Sequence, residues 1–366
     1  MRKTILYILI LAVLGSCTKE NGVHGKLMEF SVNTPGVVTT KAEVTEESLK
    51  AEQNPDKIFI YGTKSDGSTT SLVFDSGVTS LGLNSNTGVW NAKDGVDNYE
   101  WDTEGSYYYR FYSYAYSSNA VTSGNSRNLE IDNATYGRRF TVTQPADGDG
   151  SGTIDYLLSY MVNVPQSTYP LVPINLEHAM AKVEVDVRIA ESMFTTTGEV
   201  TSCLVNDVKV SISGIKRKAT MYCQTISDGV SGPNPWQVTL GDGSAEYTED
   251  KAEYTEDNID FTVSNREDIN TIAPDMSFIA VPVTTAQMSY YTLTLRYHGV
   301  MSDNDYTYEF ALKDASPQGW VSGHKVRYVL TIDNSVHLTG SIVDYEDVDY
   351  IEAVIVPGQE SDKQNQ

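Results

Sequence analysis

Alternation of apolar and polar residues at a period of two recurs along most of this chain, and it restricts the fold to one built from half-covered strands. Val183-Glu184-Val185-Asp186-Val187-Arg188-Ile189 puts four β-branched residues on one face and three charges on the other, the pattern of a strand between core and water. Val208, Val210 and Ile212 repeat it, as do Leu293, Leu295 and Tyr297, then Tyr328, Leu330 and Ile332. Clusters of Gly, Asn, Asp, Ser and Pro interrupt these runs at 65–68, 84–88, 147–152, 231–235 and 302–305. With 24 tyrosines adding strand propensity, the expected fold class is all-β, in antiparallel sandwiches. Helical signals are sparse, and the best, at 43–53, is expected as one short helix or a solvated linker.

A length of 366 residues suggests two domains of ordinary size. Pro165, Pro170 and Pro173 are expected to break any regular ladder, which places a boundary there. The expected organisation is an N-terminal β-sandwich over 26–165, a C-terminal β-sandwich over 166–357 and a polar tail over 358–366.

The start of the chain sets its compartment. Arg2 and Lys3 precede an apolar run from Ile5 to Leu14, and Leu14-Gly15-Ser16-Cys17 forms a small-residue junction ending in cysteine. This resembles a bacterial lipoprotein signal: residues 1–16 would be removed, Cys17 would carry lipid, and 17–25 would form a tether. The apolar run is too short to cross a bilayer of about 30 Å as a helix. Loss of Arg2 and Lys3 moves the formal charge from -23 to -25. Such an acidic surface disfavours nucleic acid and bare anionic membrane as partners.

Motifs with chemical content are few. Asp147-Gly148-Asp149-Gly150-Ser151-Gly152-Thr153-Ile154-Asp155 reproduces the first nine positions of a calcium loop, but Leu158 stands at the twelfth, where a bidentate carboxylate belongs. A calcium site and a Gly-Asp hairpin loop both remain open for this segment. His24, His178, His298, His324 and His337 are isolated, and neither a nucleophile elbow nor a phosphate loop nor a His-Glu-x-x-His pair occurs, so no enzyme activity and no cofactor are expected. Cys203 and Cys223 flank an expected hairpin, where a cross-strand disulfide and two buried thiols are both open. Ala245-Glu246-Tyr247-Thr248-Glu249-Asp250 recurs as Ala252-Glu253-Tyr254-Thr255-Glu256-Asp257, expected as a duplicated acidic surface loop. Tyr107 to Tyr116 is aromatic on both faces, which fits a strand covered on both sides better than a glycan platform.

Several segments together resemble the fimbrillin-like lipoproteins of Bacteroidales, which include fimbrial subunits. They are the Cys17 junction, Val38-Thr39-Thr40-Lys41-Ala42, Phe111-Tyr112-Ser113-Tyr114-Ala115-Tyr116, Asp155-Tyr156-Leu157-Leu158, Leu176 to Val183, and Gly319 to Tyr328. The resemblance implies two β-sandwich domains of transthyretin-like topology and lipid anchoring at the outer membrane. It also implies assembly with other fimbrial subunits by donor-strand exchange after proteolysis. It further implies a role in adhesion, to a host or bacterial surface protein or glycan. Met28, Phe30 and Val32 alternate with Glu29 and Ser31 as a removable first strand, and Ile351, Ala353 and Ile355 form a second alternating segment. Lys41 stands where the family often has arginine, and no arginine occurs between Arg2 and Arg110, so a cut here requires a protease that accepts lysine. A monomeric surface glycan-binding lipoprotein is the alternative expectation.

Overall fold

The computed structural model describes residues 26–33, 49, 58–94, 97–102, 106–132, 139–159, 162–165, 170–198, 200–223, 238–239, 251–256, 274–316, 318–333, 336–344, 354–357 and 359–360. Its named elements are strands and short 3-10 turns, so the chain is all-β. In the N-terminal part, one ten-stranded sheet closes on itself. The ring runs through Tyr108–Tyr116, Tyr156–Ser159, Val172–His178, Glu29–Asn33, Val89–Asp94, Val78–Asn84 and Ile58–Ser65, and the last of these pairs back onto the first. Phe30, Phe74, Trp90, Trp101, Phe111 and Ile174 fill the interior of this barrel. Leu49, the described residue of the expected helix at 43–53, is helical and is buried in the same core.

Val172–His178 shows how alternation becomes position: Val172, Ile174, Leu176 and His178 are buried, while Pro173, Asn175 and Glu177 are exposed. This strand starts after Pro165 and Pro170 but contains Pro173, one of the prolines expected to interrupt the ladder, which pairs with Ser31 inside it. Among the described residues, the antiparallel neighbour Tyr156–Ser159 reaches only Leu176 to His178, so at Pro173 the strand has a described sheet neighbour on one side, the edge-like setting in which proline is tolerated.

Two residues, Ala179 and Met180, separate this strand from Ala181–Ile189 in the C-terminal part. There, two five-stranded sheets stack across a common core that includes Val183, Val210, Phe278, Leu295, Tyr328 and Leu338. The charged face of Ala181–Ile189 is not the wet face that alternation predicts, because Lys182, Glu184 and Asp186 are buried. Paired charges make this tolerable: Lys182 Nζ lies 3.0 Å from Glu184 Oε1, and the Arg327 guanidinium donates to Asp186 across the parallel ladder. Burial still outweighs Arg327 and holds the Asp186 carboxyl above its usual value. The second copy of the acidic repeat is also not a loop: Lys251–Glu256 pairs as an edge strand with the Val205–Lys216 strand. Charges on an edge strand are a common defence against unwanted pairing. The first copy lies outside the described residues.

The two parts are joined by a third core. Tyr112, Tyr114, Phe140 and Tyr156 from the first half of the chain pack there with Met221 and Ile279 from the second. Lys218–Cys223 leaves the sandwich to pair with Arg139–Thr143, so one four-stranded sheet takes strands from both halves. Tyr108–Tyr116 serves two cores at once. Tyr109 and Phe111 enter the barrel, while Tyr112 and Tyr114 enter the junction, so the strand is covered on both sides over most of its length.

Candidate functional site

Strand Glu29–Asn33 is a stave of the closed barrel. It pairs in parallel with Val172–His178, matching Phe30 to Val172 and Asn33 to Asn175, and antiparallel with Val89–Asp94, matching Phe30 to Trp90. Every other described pairing in that sheet is antiparallel. Met28 and Phe30 point into the core at 1% and 0% exposure, and the Phe30 ring meets Phe111 edge-on at 5.3 Å. Burial of each such side chain contributes about 1.5–3 kcal/mol. Backbone and amide contacts fix the register. Met28 N donates to Tyr99 O at 2.9 Å, Trp101 N to Lys26 O at 2.9 Å, and Asn33 Nδ2 to Asn175 Oδ1 at 2.8 Å.

The position of this strand has a geometric consequence. A closed barrel has no free edge, and withdrawing one stave exposes two edges facing each other across about 10 Å, above an apolar slot that held Met28 and Phe30. Any alternating strand with suitable side chains can satisfy both edges at once. At the other end of the chain, Val354–Pro357 pairs with the Val336–Asp344 strand of the sandwich, and Gln359–Glu360 pairs with Glu309 and Tyr308. Ile351 and Ala353 lie outside the described residues, as do Cys17, His24 and Lys41.

The remaining sequence candidates are dispersed. Asp149 and Asp155 meet different partners: Asp149 Oδ1 accepts from Ser151 N at 2.9 Å, whereas the fully buried Asp155 places Oδ2 2.7 Å from His178 Nδ1. Among the described residues, no group of three or more His, Cys, Asp and Glu side chains is arranged to hold a metal ion. The loop is instead a plug in the joint. Thr153 Oγ1 donates to Gly150 O and accepts from Ile279 N, and a Cβ on Gly150 would fall 2.5 Å from Phe278 Cβ. Sequence reasoning found this segment by its glycines and aspartates but could not see the strand it docks on, 126 residues away.

Cys203 carries a free thiol and pairs with Phe194 in the two-stranded sheet, while Cys223 pairs with Val238 in the four-stranded sheet, so the fold brings them to different sheets. The described histidines serve separate local contacts. His298 sits between Asp303 at 3.6 Å and Asp305 at 2.9 Å on a hairpin, and His324 Nδ1 is 2.9 Å from Ser322 O.

The chain is similar to a candidate cell adhesion protein from Bacteroides ovatus, at 17% identity and a TM-score of 0.48, with 88% of this chain and 98% of that one covered. It is also similar to one from Bacteroides uniformis, at 16% identity and a TM-score of 0.45, covering 79% and 91%. A third, a fimbrial assembly protein from Parabacteroides distasonis, is 11% identical with a TM-score of 0.39, covering 89% and 99%. No curated protein sequence matches. A fimbrillin-like family model matches residues 40–344, a span that holds six of the seven barrel staves, the junction and most of the sandwich. On that match, this chain belongs to the fimbrillin-like family.

Proposed function

We propose that this protein is a non-enzymatic structural subunit or anchoring component of a cell-surface fimbria, carried to the outer membrane as a lipoprotein acylated at Cys17. Strand Glu29–Asn33 is its exchangeable element, and other fimbrial subunits are its partners. One observation carries this reading: the N-terminal strand closes the barrel as the parallel stave, with Met28 and Phe30 as its apolar plugs. Family membership supports the fimbrial setting. The known relatives named for cell adhesion and fimbrial assembly agree with a part in adhesion.

Two fates of Lys41 correspond to two roles. A cut after Lys41 releases Cys17 together with the first strand and opens the slot for a strand from another subunit, as a shaft component requires. An intact linker keeps lipid, first strand and barrel together, as an anchor requires. The intact mass of surface-extracted protein distinguishes them: an N-terminus at Ala42 identifies the shaft form and an acylated Cys17 the anchor form. A ladder on denaturing gels that collapses on boiling is expected for the shaft form. A lone monomer that binds polysaccharide on affinity gels would replace the fimbrial reading with a glycan-binding one.

A further inference from the structure

Exposed apolar side chains are not scattered evenly over this molecule. Seven large ones are exposed among the described residues: Leu72, Tyr108, Val121, Leu171, Tyr290, Val300 and Met301. Strand registers place five of them away from the junction. In the barrel, Tyr116 pairs with Tyr156 beside the joint, so Tyr108 lies at the remote end of the same strand, opposite Ser65. Leu72 pairs with Thr63 near that end, and Leu171 immediately precedes Val172, where the strand leading to the joint begins. In the sandwich, Arg217 contacts Gln144 at the joint, so Val205 and its partner Gly299 mark the remote end. Val300 and Met301 form the tip just beyond, with Met301 at 80% exposure.

That tip is a built feature. Asp303 N donates to Gly299 O at 2.8 Å, Val300 N to Leu204 O at 2.8 Å, and Asp303 adopts a φ of 54°. His298 braces it from within, between Asp303 and Asp305. An ordered turn that presents methionine and valine to water, rimmed by two aspartates, has the make-up of an interface core with a polar border. At the far end of the barrel, Tyr108 stands at 67% exposure, with the exposed Arg110 two residues along on the same face.

The ends of the chain indicate what covers these surfaces. The first strand enters the barrel from its remote end, because Phe30 is level with Val172 and Asn33 is further toward the joint. Val354–Pro357 runs toward the remote end of the sandwich, from the level of Gly340 to that of His337. We infer that the Val300–Met301 tip of one copy packs on the Tyr108, Leu72 and Leu171 surface of a second copy of this chain. This contact rests on the strand-exchange reading above. A C-terminal strand that leaves its own sandwich, where Val354–Pro357 is paired in this structure, and enters the next barrel brings these two remote ends face to face, with Asp303 and Asp305 able to meet Arg110.

The test uses the full-length chain on the cell surface. Under mild oxidation, the double variant Tyr108→Cys/Met301→Cys is expected to give a ladder at multiples of the chain mass that collapses on reduction. Each single variant, and the wild type with its own Cys203 and Cys223, should give no such ladder. A heat-sensitive ladder without the disulfide ladder overturns the contact and leaves strand exchange standing. A disulfide ladder without the heat-sensitive one keeps the contact and removes strand exchange, and the absence of both removes both. Met301→Asp provides a second readout: it should shorten the heat-sensitive ladder at least several-fold, and an unchanged ladder overturns the contact.

Discussion

Single side chains here act mainly by plugging closed spaces. Phe30 has no exposed surface and stacks edge-on with Phe111 inside the barrel. Phe30→Ala should cost about 3–5 kcal/mol, read as a lower urea midpoint with an unchanged slope. Tyr328 is fully buried, where its hydroxyl contacts Ser316 Oγ and accepts from Trp320 Nε1 at 2.8 Å. Burial pushes its phenol up to about 12, against the smaller opposing effect of those two hydrogen bonds. Between pH 10 and 12 the unfolded chain therefore releases a proton that the native state retains. Stability contributed by this group is present below pH 10 and falls by about 3 kcal/mol as pH rises through that window. Burial raises Tyr109, Tyr114 and Tyr116 in the same direction, so alkaline unfolding should set in above pH 10. Tyr328→Phe should flatten that dependence while leaving Trp320 Nε1 without its acceptor, at about 1–3 kcal/mol near neutral pH.

At the level of elements, alternation located strands well and assigned their outer faces less well. Val172–His178, where the prolines are expected to break the ladder, still has one buried and one exposed face. The equally regular Ala181–Ile189 hides its charged face too, because Lys182 pairs with Glu184 within the strand and Arg327, on a strand more than a hundred residues away, pairs with Asp186. Edge strands are the hardest to read: Lys251–Glu256 carries charges that resemble a loop and pairs nonetheless. Lys218–Cys223 is the element whose role depends most on distant sequence. Its Ala219 is fully buried between the two halves, opposite Val142. Ala219→Asp places an unpaired carboxylate in that core and should destabilise the protein by several kcal/mol, measured by chemical denaturation. Ala219→Ser, nearer in size, should cost less than half as much.

The whole molecule is held as one body by the junction core and the sheet shared between its halves. Chains of this size commonly unfold domain by domain, but here few residues can separate without exposing Tyr112, Tyr156, Met221 and Ile279 together. Calorimetry of the wild type should therefore show a single transition. Gly150→Val tests the coupling directly. Its φ of +83° strains any side chain, and the added Cβ would meet Phe278 at 2.5 Å across the joint. The variant should split or broaden the transition, whereas Gly67→Val, at a similar φ of +91° but with open space around it, should not.

Sequence alone determined the all-β character, the strands at 183–189, 208–212, 293–297 and 328–332, the aromatic strand covered on both sides and the apolar parity of Met28 and Phe30. Each of these depends on local periodicity, which the chain carries in neighbouring residues. Tertiary structure decided that the first strand closes a barrel, that the aspartate-rich loop plugs the joint and that charges at 182, 184 and 186 are internal. All three depend on which distant strands meet. A period of two says that a strand has a face, but only long-range pairing says what that face is set against.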